Sequence, residues 1–195
     1  MDSAVGRSRY SSVAIALHWA IAALIIYDLI VGSVMEGYQA PLKGILVGTH
    51  AMAGLSVLVL SVLRVFWRLT HRPPPYPGDM APWERFCAHV AHYALYILML
   101  AMPLIGWSIL SAHPARPGQG IHLLGSLQIA PISFISHWTD PFQKAMHDRF
   151  VGLHTVGAWI LFAVLVLHVA GAFKHQLIDK HAELARMGVG RVRSH

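Results

Sequence analysis

Histidine is the residue whose number and placement point to chemistry here, with fourteen in a chain of 195. A neutral imidazole binds metals and exchanges protons. Inside a membrane it is costly unless it faces a bundle interior and finds a partner. Six histidines lie within or near long apolar runs: His18, His50, His89, His92, His154 and His168. The pair His154 and His168 is the most informative. Fourteen residues of helix fall about 40° short of four full turns and span about 21 Å. Both therefore face one side of one helix, too far apart to share an ion. By their positions along the apolar runs, His18 lies level with His168, and His50 level with His154. Two imidazoles on opposite sides of one iron are the axial ligands of a haem, and a closed six-coordinate haem favours electron transfer over oxygen binding. Gly48 and Gly54 flank His50, while Gly157 and Gly171 follow His154 and His168. Glycine lets a flat macrocycle approach a helix, although small residues also serve plain packing. A single intramembrane histidine reads equally well as a hydrogen-bonded packing residue; four matched in depth favour ligation.

His89 and His92 differ, being three apart near the start of one helix with no partner at matching depth. Packing leads for them, with a propionate contact or a quinone hydrogen bond as the other readings. The remaining histidines fall in loops or flanks and are read as solvated. Asp28 is a sharper oddity, because a central aspartate costs roughly 2.5–3.5 kcal/mol to insert. Its default reading is functional, as a proton acceptor near a quinone or a hydrogen-bonding group across the bundle.

The elements that must carry these side chains follow from composition. Apolar residues make up 55% and charged residues 12%, about half the charge of a soluble domain. That excludes a disordered chain, a disulfide-stapled secreted domain and most soluble enzymes. The single cysteine, Cys87, excludes an internal disulfide and any CxxC motif. Four apolar runs, Val13 to Val34, Gly44 to Leu63, Phe86 to Ser111 and Phe150 to Phe173, are each long enough to cross a hydrocarbon core of about 30 Å. In lipid they must be helices. The expected fold is all-α, an integral membrane four-helix bundle in a single domain over residues 1–195. Its helices are placed at about 13–34, 44–68, 86–111 and 148–174.

The net charge of +6 sits in short flanks between the spans, a membrane pattern rather than a nucleic-acid one. Eleven Lys and Arg fall in the amino terminus, the link between helices two and three, and the carboxyl tail, against four on the opposite side: Lys43, Arg116, Lys144 and Arg149. The bias puts both termini in the cytoplasm. Met35, Glu36, Gly37 and Tyr38 after Val34 form no small-x-small site, so the first helix is expected to stay attached. Pro73 to Pro75 make a stiff cytoplasmic link, and Pro103 should kink helix three. The long outer connection, Ala112 to Lys144, mixes apolar residues with Gly125 and Pro131. It reads as an interfacial lid.

The ordered motifs resemble those of the bacterial cytochrome b561 family, related to the cytochrome b subunits of nickel hydrogenases. They are Arg9-Tyr10-Ser11 running into Leu17-His18-Trp19; His50; Leu63-Arg64-Val65-Phe66-Trp67-Arg68 with prolines following; Tyr96; Pro103-Leu104-Ile105-Gly106-Trp107; then His154, His168, Lys174-His175 and Arg186-Met187. The resemblance covers most of the chain. It implies two haem b groups, with His18, His50, His154 and His168 as iron ligands in the pairs His18/His168 and His50/His154. It also implies electron exchange with quinone, ubiquinone in some members, and a resemblance to superoxide oxidases. Propionates should point to the nearer interface, toward Arg9 and Lys174 on the cytoplasmic side and Lys43 and Arg149 on the outer side. Plain flanking charge explains those four residues as well.

The leading reading is a dihaem electron conduit across a bacterial inner membrane, with iron centres about 20 Å apart. Lys43, Arg116, Lys144 and Arg149 would steer superoxide, but Glu36, Asp140 and Asp148 reduce the outer net charge to +1. A second reading makes the chain the membrane anchor of a complex, fed by a periplasmic redox protein. A third is a haem-free metal or proton transporter, which Asp28 as the lone intramembrane carboxylate supports poorly. Catalytic residues are not assigned by the sequence.

Overall fold

The computed structural model describes residues 9–71, 73–75, 80–113, 121–123, 127–180 and 183–189. Arg7, Arg72, Arg116, Arg191 and Arg193 of the flanking charges lie outside them, as do Gly125, His181 and His195. Four long helices carry the fold: α1 (Ser12–Val34), α2 (Leu42–Thr70), α3 (Pro82–Ser111) and α5 (Asp140–Leu177). Each is long and apolar enough to cross a membrane. Between α3 and α5 stand two two-residue strands, β1 (Ile121–His122) and β2 (Gln128–Ile129), and the short α4 (Ser133–Ser136); α6 (Glu183–Arg186) follows α5.

Local chemistry sets the helix starts. Ser11 caps α1, its Oγ accepting from the Ala14 N–H at 3.3 Å, while the Trp67 indole donates to the same Oγ at 3.0 Å and ties the end of α2 to the start of α1. Pro82 opens α3, where a missing N–H costs nothing, and the Glu84 carboxylate accepts from the Ala81 N–H at 3.3 Å. The polar stretch from Asp140 to Arg149 extends α5 well before the apolar run begins. Hydropathy marks only the part of a helix that lies in lipid. α3 continues through Pro103.

α1 packs on α2, α2 on α3 and α3 on α5, whereas α5 approaches α1 and α2 only loosely. Lipid provides no hydrophobic drive between helices, so small residues at the contacts matter. On α2 the buried positions Ala53, Val57 and Ser61 recur every four residues on one face. The buried core joins Ile21 and Ile25 of α1, Val57 of α2, Met99 of α3 and Leu161 of α5. This layer separates the two histidine levels, since Leu161 is midway between His154 and His168. Outward faces show Tyr93, Ile97, Trp159 and Leu167 at about two-thirds exposure or more, an arrangement that fits lipid and not water.

The first and last described residues lie at one end of the bundle. Tyr10 N–H donates to the Arg186 carbonyl at 3.2 Å, and the Trp19 indole to the Met187 carbonyl at 2.9 Å. Gly188 has φ +89°, and a Cβ there would meet Ile15 Cγ2 at 3.1 Å, so the tail turns back over α1 on a position only glycine fits. At the opposite, loop end, the Trp107 indole donates to the Ala130 carbonyl at 3.0 Å and the Ile132 N–H to Ser111 Oγ at 3.0 Å. Ala130 and Ile132, between β2 and α4, are thus tied to α3.

At the terminal end Lys174 pairs with Glu84 of α3 and, at 2.8 Å, with Asp179, whose carboxylate also meets His175 Nδ1 at 2.7 Å. The Lys174 ammonium, and after it His175, hold the Asp179 carboxyl below its usual range, against a smaller opposing effect of burial. A carboxyl lowered in the folded state contributes stability above its unfolded value near 3.8 and loses that contribution as pH falls through the lowered one. Acidification from pH 5 to below pH 4 should therefore depress the melting temperature of the solubilised protein more in wild type than in D179N.

Candidate functional site

The loose approach of α5 to α1 and α2 is bridged by histidines. At the terminal end His18 of α1 faces His168 of α5, with ring centroids 6.2 Å apart and planes at 62°. At the loop end His50 of α2 faces His154 of α5, with centroids 6.0 Å apart and planes at 79°. An imidazole nitrogen binds a metal at about 2.0–2.1 Å, so two rings on opposite sides of one ion have centroids roughly 6 Å apart. Both pairs have that spacing. His92 of α3 lies 5.3 Å from His168, closer than two such rings stand. It is a neighbour of the terminal-end pair, which sequence spacing left without a partner; the missing information was the rotation of α3.

The ring nitrogens sort the donor set further. His50 Nδ1 lies 3.2 Å from Asp28 Oδ1. Their relative orientation misses hydrogen-bond geometry, and both buried atoms are otherwise unpartnered among the described residues. His154 Nδ1 is buried with no hydrogen-bond partner among the described residues. His18 Nδ1 lies 3.3 Å from Nη2 of Arg64, whose Nη1 donates to the Ala14 carbonyl at 3.1 Å. In His18 and His50 the Nδ1 side faces a protein group, so Nε2 is the nitrogen left for a metal in those two rings.

Glycines lie against both loop-end rings. A Cβ on Gly32 would sit 3.3 Å from His50 Cε1, and one on Gly106 3.4 Å from His154 Cε1. Gly32 was not singled out in the sequence, and Gly106 entered only as part of the motif from Pro103 to Trp107. Gly157 plays a different part, since a Cβ there would meet Met102 Sδ at 2.5 Å: the thioether already covers that backbone. Gly171 faces open space, and a Cβ on Gly54 would lie 3.6 Å from Asp28 Oδ2.

The charged residues expected around the site divide. Arg9 lines a terminal-end cleft with Arg64, Arg68, Trp67 and Tyr96, where Trp67 stacks on His71 at 3.7 Å. Three arginines lining one cleft, with Arg64 among them against His18, make a place for an anionic group. Lys174, by contrast, is tied to Glu84 and Asp179. Ligand atoms of Glu84, His175 and Asp179 lie within 4.8 Å of one another, but the Lys174 ammonium bonds both carboxylates, so the cluster is an ion-pair clamp of α3 to α5. At the loop end Lys43 pairs with Glu36 at 2.6 Å and Lys144 with Asp148 at 3.0 Å; Arg149 is exposed.

A four-helix membrane bundle with imidazoles paired across its interior defines the class of membrane b-type cytochromes. Comparison with known proteins gives the particular family. Residues 9–190 match the model of the prokaryotic cytochrome b561 family. The chain is 30% identical over 188 residues to cytochrome b561 homolog 2 of Escherichia coli K12, covering 92% of this chain and 90% of that one. It is 28% identical over 183 residues to the probable superoxide oxidase CybB of Yersinia pestis, covering 92% and 95%. Cytochrome b562 of Cereibacter sphaeroides is 31% identical over 149 residues, covering 73% and 92%. The chain belongs to the prokaryotic cytochrome b561 family, whose members bind haem b and transfer electrons in membranes.

Proposed function

We propose that the protein holds two haem b groups, one between His18 and His168 and one between His50 and His154, and passes electrons between them across a bacterial inner membrane. The observation that carries this reading is the pair of cross-helix imidazole contacts with centroids 6.2 and 6.0 Å apart. Bound there, the haems supply one-electron chemistry at a closed low-spin iron. The chain's own residues do the rest. The four imidazoles would hold the two haems, Gly32 and Gly106 let the loop-end rings lie close to backbone, and the apolar core layer around Leu161 lies between the levels. Arg9, lining the arginine cleft, takes a propionate at the terminal end, which the positive-inside bias assigns to the cytoplasm.

Quinone is the membrane-soluble partner of this reading, ubiquinone in the first instance. The likeness to the probable superoxide oxidase of Yersinia pestis makes superoxide the first outer donor to test. Long-range steering there is weakened because Lys43 and Lys144 are each paired with a carboxylate, leaving exposed Arg149 as the outer cation that matters most among the described residues. R149A should slow superoxide-driven haem reduction several-fold at low salt and little at high salt.

The deciding experiment is an optical spectrum of the purified protein, oxidised and then dithionite-reduced, with haem counted per chain. Low-spin b-type bands at two haems per chain are the expected result. One haem per chain would mean that one pair is not a ligand pair, and a colourless protein would sink the electron-transfer reading.

A further inference from the structure

We infer that Asp28 is the positioning partner of His50 and makes the loop-end haem site the lower-potential one of the two. The inference rests on the dihaem reading above and concerns a residue that reading does not use.

Asp28 and His50 belong to antiparallel helices in direct contact, and their facing atoms, Oδ1 and Nδ1, are 3.2 Å apart. The side chains are only 16% and 21% exposed, and neither facing atom has another hydrogen-bond partner among the described residues. Two glycines, each one turn further along its helix, shape the contact. Gly54 follows His50 by four residues and lies against Asp28 Oδ2; Gly32 follows Asp28 by four and lies against the His50 ring. A Cβ at position 32 would press on the His50 ring at 3.3 Å, while one at position 54 would rest in ordinary contact with Asp28 Oδ2 at 3.6 Å. The arrangement has a purpose beyond packing, because an unpartnered polar atom in lipid is costly and an alanine at 28 would avoid that cost.

With Nε2 on a metal, an imidazole carries its proton on Nδ1. A small rotation of the His50 ring then makes Nδ1–H a donor to the Asp28 carboxylate. A carboxylate behind a ligating histidine fixes the ring and its tautomer and raises the ligand's basicity. A more basic, more electron-rich ligand favours ferric over ferrous iron, so hydrogen bonding of this kind lowers a haem potential. Among the described residues the other three rings have no carboxylate partner: His154 Nδ1 has no hydrogen-bond partner, His18 Nδ1 faces a guanidinium, and His168 has His18 and His92 as its ring neighbours. The loop-end site is the one with a carboxylate behind it, and an electron moving from it to the terminal-end site goes downhill.

The test is a redox titration of the haem-loaded full chain, read optically and by the low-temperature EPR of the ferric state, for wild type, D28N and D28N combined with H154L. Asparagine keeps the shape and an acceptor oxygen but removes the charge, so a merely structural role leaves the potentials unmoved. The expected result is a rise of one midpoint by about tenfold in the one-electron equilibrium, about 59 mV, with a changed EPR signal for that haem and the other midpoint unmoved. In the H154L background, where the loop-end pair is broken, D28N should leave the remaining haem unaltered. Two haems with unchanged midpoints in D28N, or equal shifts of both, would overturn the inference while leaving the dihaem reading intact. A wild-type protein lacking two haems would fail that reading first, and the inference with it.

Discussion

Leucine in place of His168 is expected to lower haem content from about two per chain to about one, and leucine in place of His154 to do the same at the other site, because each six-coordinate iron needs both of its axial ligands. The two losses should be independent. The pairs are separated by the layer of Ile21, Ile25, Val57, Met99 and Leu161, and α5 contributes one histidine to each level. His92 supplies the discriminating control. Three imidazoles gather at the terminal end, and composition alone does not choose two of them. Geometry does. The His18 and His168 rings stand 6.2 Å apart, the spacing of ligands on opposite sides of an ion, whereas His92 is 5.3 Å from His168. H92L should therefore keep both haems and move at most one spectrum slightly. A loss of haem in H92L with none in H18L would reassign the pair to His92 and His168. Pyridine haemochrome counting of the four variants decides between them, and far-ultraviolet circular dichroism separates ligand loss from unfolding.

How much of this was legible in the sequence depends on what each feature needs. Membrane spans need only run length and missing charge, so the four helices of the bundle stood out. Depth needs only counting along a helix, which is why His18 and His50 fell level with the two histidines of α5. Rotation about the helix axis is different, because it is settled by contacts between helices. It brings Asp28 behind His50 and His92 beside His168, and it puts Gly32 and Gly106 against the rings; no periodicity within one segment specifies such meetings. Charged residues were the least legible. Lys174, expected near a propionate, has two carboxylates within reach, Glu84 on α3 and Asp179 just beyond α5, and an ammonium takes the closest strong acceptors. Lys43 does the same with Glu36. Arg64 was counted as a flanking charge within a second helix expected to run to about residue 68, and the meeting of α1 and α2 sets it against His18.

That position gives Arg64 the second large effect. Its guanidinium bonds the Ala14 carbonyl at 3.1 Å and lies 3.3 Å from His18 Nδ1. Ligation of His18 through Nε2 leaves its proton on Nδ1, which then cannot accept from a donor. Arg64 keeps Ala14 and remains beside the ring as a fixed positive charge. A unit charge at roughly 8 Å in an effective dielectric near 20 is worth about 2 kcal/mol. For a one-electron couple that corresponds to about 90 mV. Positive charge favours ferrous iron, so R64L should lower the terminal-end midpoint by tens of millivolts and leave the loop-end midpoint in place. Removing the tie between α1 and α2 should also cost about 1–2 kcal/mol of stability. R64K separates the two effects, because lysine keeps the charge but loses the forked geometry that reaches Ala14 and the ring together. It should restore most of the potential and little of the stability. A terminal-end potential unmoved in R64L would mean that solvent or a propionate already neutralises the arginine. Since Asp28 lowers one site and Arg64 raises the other, R64L and D28N should each narrow the gap between the two haems, and the double variant should come close to removing it.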